Sequence, residues 1–503
     1  MKTTYKFLFL LIGLSIVGCS DLEEEPVGLL APEGFFQSPK DIQTAVNGVY
    51  GHMTHEDFWG RKMSLTLMLR SDMVDIGDPT TSTRRIEHNE FNVPTDNGMI
   101  SGYWNRVYQI IAAANQAIAG AELVGAPDEQ KNPITAQAYF VRAFAYFHLV
   151  RQFGDIPYLD APVTDAEAAG SISKTSAAEV YANIIADLEF AKQWLPNTQS
   201  SRTIPAKSAA HSYLALVHLT LGDYQNAYNE AKGVIDNEGV YDLDLEADYQ
   251  DLFDATKIDA SKEPIFALDF NGFRDGDAGQ DYQAALTGIR SDEQYGIGGG
   301  WSVAVPSLAV YNSWNDQDYR KAVSFDATGV FNGNVEPFTN FRDFNSRAVN
   351  RPHIAKYTRA TGVTANNNGR ASQHNHSMMR YAEVLLIAAE ALNEVSPGSS
   401  EAEGYVNRVR ARARNGGSFP ADVSGLSQDD FRTLVLEDRK WELAFEFKRW
   451  YDIARRRLGS EVFSASGLEG EKPNFDPNQD YLFPLPADEL ARNSNLLPQN
   501  PGY

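Results

Sequence analysis

One segment of the sequence has apolar residues on nearly every side of the helix that it would form. Residues 136–150 read AQAYFVRAFAYFHLV, and the polar side chains Gln137, Arg142 and His148 are the few that interrupt the apolar surface. A helix that is apolar all round is stable in water only when other elements enclose it. The segment therefore predicts a mainly α-helical fold in which further helices pack around this one.

Other stretches have the spacing of paired antiparallel helices. Residues 207–236 form two amphipathic patterns on either side of Gly222-Asp223, and the spacing resembles a tetratricopeptide repeat, in which small residues let paired helices approach closely. The small residues of this pair are Ala215, Ala227 and Ala231. Two more pairs are predicted, 378–393 with 401–414 and, less regularly, 136–150 with 176–194.

The stretch between these pairs has a different composition. Residues 263–377 are rich in glycine, asparagine, aspartate and aromatic residues and show little sustained periodicity. Long irregular segments in a compact fold are often functional, and the aromatic residues favour ordered loops. We therefore predict a single domain over residues 33–503, with a helical scaffold at about 33–262 and 378–503 and a loop-rich insertion at about 263–377 that binds the ligand.

A charged pattern near the end of the chain predicts one long helix. In residues 429–457 the charged side chains recur at steps of three and four, which places alternating charge on one helical stripe. The stripe consists of Arg439, Glu442, Glu446, Arg449, Asp452 and Arg456. We interpret it as structural and assign it no catalytic role.

The first 18 residues have the features of a secretory signal peptide. Lys2 and Lys6 precede an apolar run that ends at Gly18 and is too short to span a bilayer. Cys19, the only cysteine among the 503 residues, follows directly, as in a bacterial lipobox, where the cysteine is acylated and becomes the mature N-terminus. We predict lipidation at Cys19 and an acidic tether over residues 19–32. The alternative is a soluble secreted protein with an incidental cysteine.

The single cysteine and the charge exclude several classes of protein. If Cys19 is acylated no thiol remains, which excludes disulfides, cysteine-ligated zinc and thiol nucleophiles. The formal net charge of −23 argues against nucleic acid, whose phosphates need a basic surface. The sequence contains no H-E-x-x-H, G-x-S-x-G or phosphate-loop motif, and we predict no metal, cofactor or catalytic residue.

Motifs along the whole chain resemble the SusD/RagB family of outer-membrane nutrient-binding lipoproteins of Bacteroidetes. They follow the order of that family, which is more specific than any single motif. The matching segments are CSDLEEEP, FWGRKMSLTLMLRSDMVD, YWNRVYQIIAAANQAI, AYFVRAFAYFHLVRQFGDIPY, MMRYAEVLLIAAEALNE, RKWELAFEFKRWYDIARR and FPLPADEL. The resemblance implies a SusD-like fold and a receptor that is lipid-anchored in the outer membrane and exposed on the cell surface. It also implies that this receptor passes oligosaccharides to a TonB-dependent transporter of the SusC type.

Aromatic rings and carboxylates in the irregular segments are the candidates for binding a sugar, because rings cover its C–H faces and polar groups bond its hydroxyls. Trp301 and Tyr295 in YGIGGGW form the leading platform, since the glycines can expose a ring at little steric cost. The alternative is that Trp301 fills the core from a loop, and the role of Trp314 is open. Asp72 matches a family position that contributes to the ligand site in some members, and the alternative is that it caps the backbone. Asp75 in the same loop is a weaker candidate.

The sequence is compatible with three functions. A non-enzymatic receptor for oligosaccharides or polysaccharides is favoured by the resemblance. A peptide receptor is the main alternative, since helical-repeat scaffolds commonly bind peptides and some members of the resembled family take them up. A glycoside hydrolase is less favoured, because nothing singles out a pair of carboxylates among the 67 acidic residues. Some glycan-binding relatives carry a tryptophan between Asp72 and Phe91, and this chain has none there, so the ligand class stays open.

Overall fold

Helices make up most of the computed structural model, which describes residues 32–165, 167, 170–272, 279–296, 299–342, 348–362, 370–468 and 470–503. The predicted signal peptide and Cys19 lie outside these residues. In chain order the helices are α1 Pro32–Phe35, α2 Pro39–Met53, α3 Lys62–Leu69, α4 Thr83–Asn89, α5 Gly98–Leu123, α6 Asp128–Phe153, α7 Ala177–Trp194, α8 Lys207–Leu221, α9 Tyr224–Ile235, α10 Gln283–Thr287, α11 Leu308–Ser313, α12 Tyr319–Ser324, α13 Tyr381–Val395, α14 Ser400–Ala413, α15 Gln428–Glu442, α16 Arg449–Arg455, α17 Gly459–Val462 and α18 Ala487–Arg492. Shorter helical turns cover Glu56–Gly60, Tyr249–Phe253, Ile258–Ala260, Phe338–Asn340 and Ser494–Leu496.

The strands are short and form two-stranded antiparallel pairs, mostly within the loop-rich insertion. They are β1 Val74–Ile76, β2 Pro264–Asp269, β3 Ala304–Pro306, β4 Phe325–Asp326, β5 Thr328–Phe331, β6 Asn334–Pro337, β7 His353–Ile354 and β8 Asn375–Arg380. The pairs are β1 with β3, β2 with β8, β4 with β7, and β5 with β6. The predicted mainly α-helical fold is confirmed, and the insertion contains the strands and short helices that its irregular sequence left undefined.

Helix α6 is enclosed on all sides, as its apolar sequence predicts. It packs against α5 and α7, and the rings of Phe140 and Phe144 also meet Tyr213 of α8 at centroid distances of 5.4 and 5.5 Å. The same two rings contact Phe266 of β2 at 4.9 and 5.7 Å. Edge-to-face ring contacts of this kind add to the free energy gained by burying apolar area. The core therefore joins the helical scaffold to the first strand of the insertion.

The predicted helix pairs are present. Helix α8 ends at Gly222, whose φ of 74° is left-handed, and α9 begins after Asp223, whose carboxylate accepts a hydrogen bond from the Asn226 amide at 3.3 Å. A glycine in this conformation ends a helix without the steric cost that a Cβ would bring. Helices α13 and α14 form the second pair and α6 with α7 the third. The start of the second pair differs from the prediction, because residues 378–380 belong to β8.

The prediction of one helix over residues 429–457 is wrong. Helix α15 ends at Glu442, and the chain turns through Phe445 and Phe447, whose φ angles of 64° and 65° are incompatible with a right-handed helix, before α16 begins. The regular charge spacing continues through the turn, so periodicity alone could not reveal it. Both aromatic rings are buried in the core, which compensates for the strained backbone.

The charges of this segment are buried in an ion network. Arg380 donates to Glu263 at 2.7 Å, to Glu442 at 2.6 Å and to Glu446 at 2.8 Å, and Arg412 donates to Glu263 at 2.8 Å. Burial alone would raise the pKa of Glu442. The three arginines beside it, Arg412, Arg380 and Arg320, hold this pKa well below its usual range. Because Glu263 and Arg380 lie at the two ends of the insertion, the network fastens both ends to α14 and α15.

Among the described residues, no helix combines the length and the apolar character that crossing a lipid bilayer requires.

Candidate ligand-binding site

The segment that carries Trp301 is held by backbone hydrogen bonds on both sides. On one side the Trp301 amide donates to the Ala285 carbonyl at 2.6 Å and the Ser302 amide donates to Gly288 at 3.0 Å. On the other side β3 pairs with β1, and the Gly77 amide donates to the Val303 carbonyl at 2.9 Å. The tryptophan therefore stands on a fixed backbone between α10 and the loop that follows β1.

Gly300 is required for this arrangement. A Cβ at this position would lie 1.9 Å from the carbonyl oxygen of Gly288, a distance that no side chain tolerates. Gly299 has a φ of 92°, which also favours glycine. The glycines predicted to expose the ring thus allow two backbone segments to approach each other directly beside it.

Trp301 is partly buried. Its inner edge packs against the core, and its ring centre lies 5.8 Å from that of Tyr282, with the two planes inclined by 54°. Tyr282 is itself buried, 6% exposed, and immediately precedes α10. The ring therefore contributes to the core and keeps an exposed portion, and its role as a ligand platform stays a prediction.

Three arginines surround these two rings. The guanidinium carbons of Arg370 and Arg85 lie 5.0 and 5.8 Å from the Trp301 ring centre, and that of Arg61 lies 4.6 Å from the Tyr282 ring centre. These distances are typical of cation–π contacts. Burial and the neighbouring Arg61 lower the pKa of Arg85 to about 10, so the side chain stays charged at neutral pH.

Tyr295, the other member of the predicted platform, has different neighbours. Its hydroxyl donates to a carboxylate oxygen of Asp326 at 3.2 Å, and burial together with that carboxylate raises its pKa to about 12. Within the described part of the chain, its ring makes no contact with that of Trp301. Residues 297 and 298, which separate the two, lie outside the described residues.

Trp314 lies in the core, where it is 3% exposed. Its ring is nearly stacked on Trp441, with centres 4.6 Å apart and planes inclined by 32°, and it meets Phe325 edge-on at 5.5 Å. A ring covered on these sides offers no face to a sugar, so the structure does not support a ligand contact at Trp314.

The two aspartates predicted from the RSDMVD segment are held by cations. Asp72 is 2% exposed, and both its carboxylate oxygens accept hydrogen bonds from Arg449, at 2.7 and 2.8 Å. Asp75 is partly exposed and accepts from Arg351 at 2.8 Å, with Lys472 at 3.5 Å. Burial would raise the pKa of Asp75, but these two cations lower it overall. Asp72 is therefore the buried ion-pair partner of Arg449, and its described contacts are neither a backbone cap nor an exposed group to which a sugar could bind.

No feature of the sequence indicates that Tyr282, Arg85 and Arg370 lie at this site. They come from three separate segments, which meet because β1 pairs with β3 and because α10 packs beneath Trp301. Without the pairing of β1 with β3, nothing in the sequence indicates that the residues after β1 lie next to Trp301.

A second concave surface lies on the helical scaffold. This cleft has a volume of about 760 Å³ and lies between α5, the segment after α6, and the C-terminal residues. Its main side chains are Trp104, Tyr108, Leu159, Val163, Ile172 and Leu496. It is mainly apolar, and its charged neighbours are Glu489 and Arg492. Among the described residues, no group of three or more histidine, cysteine, aspartate or glutamate side chains is arranged to hold a metal ion.

Comparison with known proteins places these features in a family. A family model described as "SusD family" matches residues 336–503, and another described as "Starch-binding associating with outer membrane" matches residues 25–219. SusD-like protein P2 of Formosa agariphila is 57% identical over 504 residues, which cover 99% of this chain and 99% of that protein.

Solved structures share the fold. A SusD homolog from Bacteroides thetaiotaomicron has a TM-score of 0.81 at 20% identity, covering 94% of this chain and 98% of its own. A protein described as a laminarin-binding SusD-like protein has a TM-score of 0.77 at 22% identity, covering 93% of this chain and all of its own. At these identities the similarity establishes the fold.

Proposed function

Because this chain belongs to the SusD family, we propose that it is a cell-surface lipoprotein that binds oligosaccharides or polysaccharides at the Trp301 site and delivers them to a SusC-type TonB-dependent transporter. Binding without chemical change of the sugar is part of this proposal. The anchor is the acyl chain on Cys19, which keeps the receptor beside its transporter.

The observation that supports glycan binding most directly is the exposed portion of Trp301 beside hydrogen-bond donors. An aromatic ring can cover the flat C–H face of a sugar while the nearby guanidinium groups bond its hydroxyls. The ring stands on a backbone fixed by α10 and β3, so little ordering is needed when a ligand binds. Among the relatives of similar fold, one is described as laminarin-binding and another as a surface glycan-binding protein from Bacteroides fluxus.

A binding survey of the purified full-length chain tests this function. We expect saturable binding to at least one polysaccharide of a panel, no binding to a library of unstructured peptides, and no release of reducing sugar from the polysaccharide that binds. Binding of peptides alone would replace the proposal with a peptide receptor. Release of reducing sugar would make the protein a glycoside hydrolase.

The partner is tested separately. We expect a SusC-type transporter to co-purify with the protein from detergent-solubilised outer membranes. Its absence under conditions that preserve other membrane complexes would contradict delivery to a transporter and would leave glycan binding untouched.

A further inference from the structure

The charge around Trp301 is opposite to the charge of the whole chain. The protein has a formal net charge of −23, with 67 acidic and 44 basic residues. Nevertheless the side chains that border the two rings of the site are Arg61, Arg85 and Arg370. The three guanidinium groups repel one another, and this repulsion is unfavourable unless negatively charged groups nearby compensate it.

Among the residues that the structure describes, a carboxylate compensates one of these three charges. Arg61 forms an ion pair with Glu56. Within the described residues, Arg85 has a hydrogen bond to the Thr81 hydroxyl at 2.9 Å and no carboxylate partner. Arg370 likewise has no ion pair among them, and its Nε atom is buried without a hydrogen-bond acceptor. Buried donors in native proteins are nearly always bonded, so the Nε of Arg370, beside a candidate binding ring, is a donor for which the described residues supply no acceptor.

The positions of Arg85 and Arg370 indicate that the acceptor is a group carried by a bound sugar. Both guanidinium groups lie within 6 Å of the same ring centre, at 5.0 and 5.8 Å, so a sugar placed on the exposed portion of Trp301 would bring its ring substituents within their reach. Arginine presents a planar fork of N–H donors that matches a carboxylate or a sulfate group through two parallel hydrogen bonds. A neutral hydroxyl would satisfy fewer of these donors and would leave their charge unbalanced.

We propose that the Trp301 site selects anionic glycans, in which a carboxylate or a sulfate group is held by Arg85 and Arg370 while the sugar lies against the exposed portion of Trp301. This inference rests on the proposed function, since it names the class of glycan bound at the same site. It also explains how a strongly acidic protein can hold a polyanion: repulsion acts over the whole surface, and two localised charge-assisted contacts oppose it at the site.

The first test is a polysaccharide binding array with three arms. The neutral arm contains dextran and laminarin, and the carboxylated arm contains alginate and polygalacturonate. The sulfated arm contains carrageenan and dextran sulfate. We expect binding in a charged arm, and which of the two charged arms binds identifies the anion. The polymer that binds is then carboxyl-reduced or desulfated, which removes the charge and keeps the backbone. We expect its affinity to fall by at least about tenfold.

Three variants examine the protein side. Arg85→Gln combined with Arg370→Gln removes both unpaired charges, and we expect at least about a tenfold loss of affinity for the anionic polymer. The double lysine variant at the same positions keeps the charge and should retain part of the affinity, which separates electrostatics from a folding defect. Arg414→Gln is the control, because Arg414, which directly follows α14, pairs with Asp422 in the next loop, and its replacement should change the affinity by less than about twofold.

The outcomes separate the two proposals. If the array shows binding only to neutral polymers, or if removing the charge from the bound polymer leaves its affinity unchanged, the inference of an anionic ligand is overturned and the receptor function stands. If no glycan of any arm binds, both are overturned.

Discussion

Arg449 donates two hydrogen bonds, of 2.7 and 2.8 Å, to the two carboxylate oxygens of Asp72, which lies 377 positions earlier in the chain. Both side chains are buried, at 9% and 3% exposure. The pair joins the segment between α3 and β1 to the first residue of α16, and so fixes the chain that leads into β1, the strand that pairs with β3 next to Trp301. The ion pair gives Asp72 a structural role, whereas the family resemblance associates this aspartate with ligand binding.

Replacing Asp72 with alanine should destabilise the protein without a direct loss of ligand contacts. Removing one partner of a buried ion pair leaves the other charge uncompensated, which costs about 3–5 kcal/mol of the free energy of unfolding. Urea denaturation measures this loss. Asp75→Ala is the comparison, because its partly exposed pairs should cost only about 1 kcal/mol or less. Equal and small effects of the two substitutions would show that the Asp72–Arg449 pair does not stabilise the fold.

Gly300→Ala should weaken glycan binding through the backbone. The new Cβ would overlap the Gly288 carbonyl, so the two segments must separate and Trp301 must shift. We expect a blue or red shift of tryptophan emission together with a loss of affinity, while Gly239→Ala, where a Cβ meets nothing within 4 Å, should leave both unchanged. Unaltered affinity in Gly300→Ala would mean that the position of the ring does not matter for binding.

Acid should destabilise the protein partly through His353. This buried imidazole lies 2.9 Å from the Arg351 carbonyl through Nδ1, which is therefore a donor, and 2.8 Å from the Ser302 hydroxyl through Nε2. Burial lowers its pKa to about 4, only partly offset by the bond to Arg351, whereas an unfolded histidine titrates near 6.5. Between these two values the unfolded chain binds more protons than the folded one, so stability falls as the pH is lowered through this window.

The expected contribution of His353 is about 1.4 kcal/mol of unfolding free energy per pH unit between about pH 6.5 and 4. His353→Gln removes the proton uptake, and the slope of stability against pH in that window should decrease by up to this amount, although the variant will be less stable at neutral pH. His218→Gln, at a partly exposed position at the end of α8, serves as the control. An unchanged slope in His353→Gln would contradict a buried neutral imidazole.

Cys19→Ser should separate anchoring from binding. Without the thiol no acyl chain can be attached, and we expect the variant to leave the membrane fraction while it keeps the glycan affinity of the unmodified chain. Cell fractionation followed by a binding assay on the released protein measures both properties. A Cys19→Ser protein that remains in the outer-membrane fraction would contradict lipid anchoring at this residue.

The scaffold could be predicted from the sequence because its signals are local. Helical periodicity, small residues at the helix contacts and Gly222 at a helix end each act within a few residues, and α6, α8, α9 and α13 follow from them. The turn at Phe445 and Phe447 could not be predicted, since the charges continue at helical spacing while burial of the two rings determines the path of the chain.

The site could be predicted only in part for the same reason. Trp301 was identified through the adjoining glycines, which are a local feature. Trp314 has no such neighbours and its sequence leaves its role open, so only its contact with Trp441 reveals a core residue. Arg85 and Arg370 approach Trp301 through tertiary contacts that no periodicity encodes.

Calorimetric titration of the Trp301→Ala variant tests the central claim most directly. The ligand is the polysaccharide that binds most tightly to the unmodified chain, and the control is Trp194→Ala, a partly buried tryptophan at the end of α7. We predict that Trp301→Ala loses at least about thirtyfold in affinity, as expected for a central aromatic contact, while Trp194→Ala stays within about twofold. An affinity of Trp301→Ala within about twofold of the unmodified chain would contradict the account, and the apolar cleft at Tyr108 would become the next site to test.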